Sequence, residues 1–400
     1  MTAAPPTAAD AARTLTALLA DLEASHRSLG MERVRSWKAA APERRAIGCL
    51  PVFAPREVLW AAGALPVFIR GGGDQLETIR GDAYYQSYIC RLPRSTLELG
   101  LGGWLDALDG MVFPNTCDVI RNLSGVWSSL FPAKLTRFLD PPQAGDQAAG
   151  IRFWRSELSA LYRDVCALSG REPAPEALRA AILAYHQARR AARRLEAARI
   201  ETPWRFPVDE TYLLRRAGDV MPPLDWARLV DAYLALAGAR TVRPEDRIRV
   251  LVQGAFCEQP PLGLLRALER AGCYVIADDL TLGHLDSDDP DPDPAMDPLQ
   301  ALAEAEMLGR TASAVRYDAQ GDRGRCLAAE AKRLHADGII FAAPSFCDPA
   351  LLDQPRLTKA LGDAQVPYTA FKYAENTGQF QSIREQAGTF ADSVKLWGHA

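Results

Sequence analysis

Three times in this chain an apolar run suited to a β-strand leads through a short turn to a cysteine and then an acidic residue. Met111-Val-Phe113 passes through Pro114-Asn-Thr116 to Cys117 and Asp118. Residues 247–252 pass through Gln253-Gly-Ala-Phe256 to Cys257 and Glu258, and residues 338–342 through Ala343-Pro-Ser-Phe346 to Cys347 and Asp348. In an open parallel sheet such a position lies just beyond the strand's carboxyl end, where these folds bind ligands. The helix that begins there has free N–H groups that favour a thiolate over a thiol, and a thiolate is what iron requires. One such cysteine would mean little. Three, from two stretches of alternating strand and helix, point to a metal centre in a cleft between them.

The rest of the pattern agrees with that layout. Residues 8–40 read as a helical arm, with Leu15, Leu18, Leu19 and Leu22 on one face. Strands are expected at 49–53, 65–69, 110–113, 247–252, 273–277, 338–342 and 367–371. Helices are expected at 56–63, 95–108, 260–271, around 325–335 and at 377–397. Alternation of this kind gives parallel sheets with helices on their faces. The expected fold is therefore α/β, with two Rossmann-like parallel-sheet domains facing a cleft. The expected order is an N-terminal helical arm (1–44), a first α/β domain (45–150), a helical connecting segment (151–244) and a second α/β domain with a C-terminal helix (245–400).

Composition narrows the class. The chain has 400 residues, enough for more than one core, with 48% hydrophobic and 24% charged residues as in ordinary globular proteins. A net charge of -4 gives no bulk attraction to nucleic acid or anionic lipid. No apolar run reaches the roughly 18–20 residues of a membrane span. The opening Met1-Thr-Ala-Ala-Pro-Pro lacks the basic and apolar regions of a signal peptide, so the expected location is the cytoplasm. Eight cysteines occur and none forms a C-x-x-C pair, which excludes zinc-ribbon and thioredoxin-type readings. A disulfide framework does not suit a long chain without an export signal.

The cysteines then divide by context. Cys90, in Tyr84-Tyr-Gln-Ser-Tyr-Ile-Cys-Arg-Leu-Pro-Arg94, opens a helical stretch, and Arg91 and Arg94 beside it would favour its thiolate. Cys49 and Cys273 open apolar strands and read as core; Cys166 and Cys326 sit on helices without partners. Cys257 stays a reserve ligand. Other candidates are weaker. His284 follows the strand at 273–277 and the pair Asp278-Asp279, and could supply a proton. Lys372, Glu375 and Asn376 follow the last strand, a place for contacts in the cleft or with a partner. The acidic, proline-rich stretch at 284–294 reads as a solvated loop, and Gly71-Gly-Gly73 as a turn.

At these residues the chain closely resembles a known family. The segments are Gly71-Gly-Gly-Asp74, 81–101 (GDAYYQSYICRLPRSTLELGL), 113–127 (FPNTCDVIRNLSGVW), 254–262 (GAFCEQPPL), 341–352 (FAAPSFCDPALL), 371–378 (FKYAENTG) and 383–397 (IREQAGTFADSVKLW). They resemble the smaller catalytic-module subunit of the ATP-dependent benzoyl-CoA reductases, within the wider 2-hydroxyacyl-CoA dehydratase family. The resemblance spans about the whole chain beyond its first 40 residues. It implies two α/β domains and a [4Fe–4S] cluster in the cleft held by three cysteines, a pattern that falls on Cys90, Cys117 and Cys347. It further implies a larger homologous cluster-bearing subunit, an ATP-hydrolysing activator pair and ferredoxin as electron donor. The reaction implied is two-electron reduction of benzoyl-CoA, a CoA thioester, to a cyclohexadiene carboxyl-CoA.

The chain holds no G-x-x-x-x-G-K-[ST] phosphate loop, as expected if ATP is used by another subunit. The run Arg179, Arg189, Arg190, Arg193, Arg194 and Arg199 reads as a solvated helix face, with attraction of CoA phosphates or an acidic partner as the other reading. Two other functions remain open: a 2-hydroxyacyl-CoA dehydratase subunit, a radical lyase that recycles its electron, and a cluster-free scaffold whose cysteines are core.

Overall fold

A computed structural model describes residues 8–143, 146–254, 259–283, 290–309, 313–317, 321, 323–374 and 379–397. Two helices lead, α1 (Ala8–Arg27) and α2 (Met31–Ala39). The first sheet follows with β1 (Arg45–Cys49), α3 (Arg56–Ala61), β2 (Ala64–Phe68), α4 (Arg91–Leu101), β3 (Gly110–Pro114), α5 (Asp118–Leu130) and β4 (Leu135–Leu139). Four helices then run in succession: α6 (Gln147–Ser169), α7 (Pro175–Glu201), α8 (Val208–Gly218) and α9 (Pro223–Gly238). The second sheet is built from β5 (Ile248–Gln253), α10 (Leu262–Arg270), β6 (Cys273–Asp278), α11 (Pro298–Gly309), α12 (Arg323–Arg333), β7 (Gly338–Pro344), α13 (Asp348–Asp363) and β8 (Tyr368–Tyr373), and α14 (Phe380–Trp397) ends the order. Among the described residues no helix is long and apolar enough to cross a membrane.

Both sheets have four strands, all parallel, and the same order: β2-β1-β3-β4 in the first, β6-β5-β7-β8 in the second. Each is a Rossmann-like sheet, in which the strand order reverses between its first and third strands. A crevice opens there at the carboxyl edge. Both faces of the inner strands are covered, which is why β1, β3 and β7 are buried along nearly their whole length and not alternating. In the first sheet Ile47, Cys49 and Val112 face α3 and α6, while Ala46, Met111 and Phe113 face α4 and α5. In the second, Val250, Val252 and Ile340 face α10 and α14, while Leu251, Ile339 and Phe341 face α12 and α13.

The first strand differs from its expected place. It occupies Arg45–Cys49, and 50–53 form the loop beyond its carboxyl end. Pro51 has no N–H for a ladder, and Val52 takes φ +96°, a left-handed conformation that a β-branched residue rarely adopts.

The arginine run also differs from a uniformly solvated face. Arg189 and Arg199 are buried. Arg189 Nη1 meets Glu57 Oε1 at 2.7 Å and its Nε meets Asp291 Oδ1 at 2.8 Å, so α7 ties α3 to the loop after β6. Arg199 Nη2 lies 2.5 Å from Asp278 Oδ2. Burial raises the Asp278 carboxyl, but Arg199 and Arg215 outweigh it and hold it below the usual carboxylate range. Asp278 is thereby a structural anion. Arg193 and Arg194 pair at the surface with Asp291 and Asp231.

Candidate functional site

The carboxyl edges of β3 and β7 carry two cysteines in topologically equivalent places. Cys117 is the N-cap of α5, reached from β3 through a turn whose Asn115 N–H donates to Leu139 O at 2.8 Å. Cys347 is the N-cap of α13, reached from β7 through Ser345, whose N–H donates to Tyr373 O at 2.8 Å. Phe346, directly before it, is held at φ +65° with its ring half exposed. Cys90 is the N-cap of α4. Each cysteine therefore begins a helix, where unpaired N–H groups concentrate positive potential.

Cys90 and Cys117 pack against the same apolar cluster as Tyr85. The Tyr85 hydroxyl is buried without a hydrogen-bond partner among the described residues. Burial, and then the charges of Cys90 and Cys117, push it above the ordinary tyrosine range, so it remains a proton-bearing donor. The second lobe closes from the other side. Cys347, itself buried, packs with Ala343 and Ala350 and with Val52 and Phe53 from the loop after β1. Asp348, next to Cys347, is close enough for its charge to act on the Cys117 thiol. The three positions thus border one region where the sheets' carboxyl edges meet. No three Cys, His, Asp or Glu side chains among the described residues lie close enough together to hold a single ion. A four-iron cube spreads its thiolates wider than one ion does.

Burial raises the Cys117 thiol despite N–H groups of Ile120 and Val119, and Asp118 and Asp348 add to the rise. A bound cation acts in the opposite sense and favours the thiolate. Burial also pushes Cys49 and Cys273 up to about 12, and both sit in strands inside apolar clusters. Cys166 is buried on α6 and Cys326 is exposed on α12.

Of the remaining candidates, Cys257, His284, Glu375 and Asn376 lie outside the described residues. Lys372 is exposed near the carboxyl end of β8, opposite Ala343 in the ladder. Gly71-Gly-Gly73 is a turn: Gly71 has φ +75°, Gly73 has φ +56°, and the latter packs against Gln259 of the second lobe. Tyr85 carries no mark in the sequence, because nothing local distinguishes a hydroxyl that tertiary packing will isolate.

The family model of the 2-hydroxyglutaryl-CoA dehydratase D-component matches residues 51–394 of this chain. A benzoyl-CoA reductase subunit from Thauera aromatica is 46% identical over 381 residues, covering 95% of this chain and 98% of that one. An (R)-2-hydroxyglutaryl-CoA dehydratase subunit beta from Acidaminococcus fermentans is 28% identical, covering 89% of this chain and 94% of its own length. An (R)-phenyllactyl-CoA dehydratase beta subunit from Clostridium sporogenes is 26% identical over 88% of this chain and 92% of its own. The chain belongs to the 2-hydroxyglutaryl-CoA dehydratase D-component family.

Proposed function

We propose that this chain is the iron–sulfur subunit of an ATP-dependent benzoyl-CoA reductase, holding one [4Fe–4S] cluster on Cys90, Cys117 and Cys347. The observation that carries the reading is the 46% identity, at nearly full length, to a benzoyl-CoA reductase subunit. Relatives named as dehydratase subunits share much less, at 28% and below.

The residues fit such a cluster in kind. Three cysteines at helix N-termini suit iron–sulfur ligation. The buried Tyr85 hydroxyl has no acceptor among the described residues, and cluster sulfur would supply one. The cluster supplies low-potential electrons, needed because adding charge to an aromatic ring is uphill for ordinary donors. The chain's own residues hold, shield and orient. The helix N-termini spread positive potential over the thiolates, and Val52, Phe53, Ala343 and Ala350 pack around Cys347 with apolar surface that excludes water. Cys90, Cys117 and Cys347 would together supply one protein ligand fewer than a four-iron cluster has irons. ATP is hydrolysed by a separate activator pair, supplied by ferredoxin, and the catalytic unit is completed by a larger homologous cluster-bearing subunit. Lys372 is available at the cleft edge for the thioester or that partner. Two electrons and two protons convert benzoyl-CoA to a cyclohexadiene carboxyl-CoA.

The test is anaerobic co-purification with the larger subunit, then turnover on benzoyl-CoA with the activator. Consumption of electrons and ATP in every cycle supports the reductase. Dehydration of a 2-hydroxyacyl-CoA that needs electrons only to start would replace it with the lyase. A colourless, iron-free protein would leave only a scaffold.

A further inference from the structure

The segment that carries Tyr85 is fixed by the protein alone. The Glu98 carboxylate on α4 accepts three successive backbone N–H groups, from Ile79 at 2.8 Å, Arg80 at 2.6 Å and Gly81 at 2.9 Å. Arg94 Nη1 pairs with Asp82 Oδ1 at 3.1 Å. Gly81 approaches α4 so closely that a Cβ there would lie 2.0 Å from Arg94 O. The segment is therefore clamped along α4, and Tyr85 lies against the same apolar cluster as Cys90 and Cys117, the N-caps of α4 and α5.

A phenylalanine would fill this space equally well. A tyrosine here buries a hydroxyl that finds no acceptor among the described residues, an arrangement that costs free energy and is rare unless something else completes it. Sulfur atoms of a cluster held by the two neighbouring cysteines are acceptors at that place. We propose that the Tyr85 hydroxyl donates a hydrogen bond to a cluster sulfur and thereby sets the cluster's reduction potential. The inference rests on the cluster reading given above. A donor at sulfur stabilises the extra negative charge of the reduced state more than the oxidised state, so its presence raises the potential. Tyr85 in this role touches the cofactor itself and moves no proton in the reaction.

The test compares the complex with its larger subunit, purified anaerobically, in the wild-type form and with Tyr85→Phe. Iron and acid-labile sulfide are counted, and the clusters are titrated with EPR detection. The expected result is unchanged iron and sulfide with one midpoint moved to more negative potential. At the wild-type midpoint the ratio of reduced to oxidised cluster falls by about tenfold, about 59 mV for a one-electron couple. An unmoved midpoint with full iron overturns the inference and leaves the cluster reading intact, whereas wild-type protein without iron and sulfide overturns that reading itself. Should Tyr85→Phe lose iron, a fluorotyrosine at position 85 decides the matter. As a stronger donor of nearly the same shape it must shift the midpoint to more positive potential, and no shift overturns the inference.

Discussion

Arg70 and Asp219 form an ion pair at 3.2 Å in which neither side chain has any solvent exposure. Arg70 follows β2 in the first sheet, and Asp219 caps the C-terminus of α8. Arg216 Nε joins the same carboxylate at 2.7 Å and Arg216 also donates to the Gln259 side chain. The Gln259 N–H returns to Arg70 O at 2.9 Å, and Arg70 Nη2 reaches Thr281 O at 3.4 Å. One buried ring therefore joins the first lobe, the helical segment and the second lobe.

Removing the anion from this ring leaves buried guanidinium groups without their counter-charge. Asp219→Ala is expected to cost about 3–5 kcal/mol of stability, as breaking buried pairs does. Urea unfolding measures it. The double change Arg70→Met with Asp219→Leu should cost less than the sum of the single changes, since it removes charge from both sides. Additive costs would show that the two side chains act independently.

His26 gives the pH dependence a sign. It packs edge-on to Tyr212 with ring centroids 5.9 Å apart. Burial, and then the Arg216 charge, lower its pKa from 6.5 to about 3. The folded protein resists protonating this ring while the unfolded chain accepts the proton below pH 6.5. Stability is thus fully present above pH 6.5 and falls as pH drops toward 3, by up to about 1.4 kcal/mol per pH unit from this group. Denaturant midpoints between about pH 7.5 and about pH 4.5 test it, and His26→Gln should flatten the slope in that window.

The cysteines should separate by chemistry. Changing Cys90, Cys117 or Cys347 to Ser is expected to lower bound iron and abolish ring reduction, while Cys166→Ser leaves iron content unchanged. Iron analysis after anaerobic purification decides the assignment, and full iron content in Cys117→Ser would remove that residue from it. In native protein under reducing, metal-free conditions, thiol labelling should reach exposed Cys326 first and leave Cys49 and Cys273 untouched, because burial keeps the latter two protonated.

Gly283 tests the contact between lobes. Its φ is +76°, and a Cβ there would lie 2.5 Å from Val52 Cα and 2.7 Å from Val52 O. The clash is with backbone, which cannot swing aside. Gly283→Ala is expected to cost about 1–3 kcal/mol through overpacking and about 1 kcal/mol more through the left-handed backbone. Thermal unfolding would show it; a neutral result would mean that the lobes meet elsewhere.

Much of the fold was legible because it is written in short-range pattern. Apolar runs of strand length and helix-period spacing located six of the eight described strands closely, while the first was expected at 49–53 and lies at Arg45–Cys49. β4, for which no strand was expected, is only partly buried along most of its length, so its sequence Leu135-Thr-Arg-Phe-Leu139 carries little hydrophobic signal. The positions of Cys117 and Cys347 were legible for the same reason, since a residue just past a strand and just before a helix is defined by its neighbours. Arg189 and Arg199 were not. They sit among arginines that do face solvent, and only the approach of Glu57, Asp291 and Asp278 from distant segments distinguishes them.

By itself the sequence determined the parallel α/β class and the placing of Cys90, Cys117 and Cys347 at helix starts, because both follow from contacts among residues near one another along the chain. Only the tertiary structure decided the matching order of the two sheets, the sealed ring around Asp219 and the isolation of the Tyr85 hydroxyl. Those depend on which distant surfaces meet, and burial converts an ordinary polar side chain into a structural or functional one only after they have met.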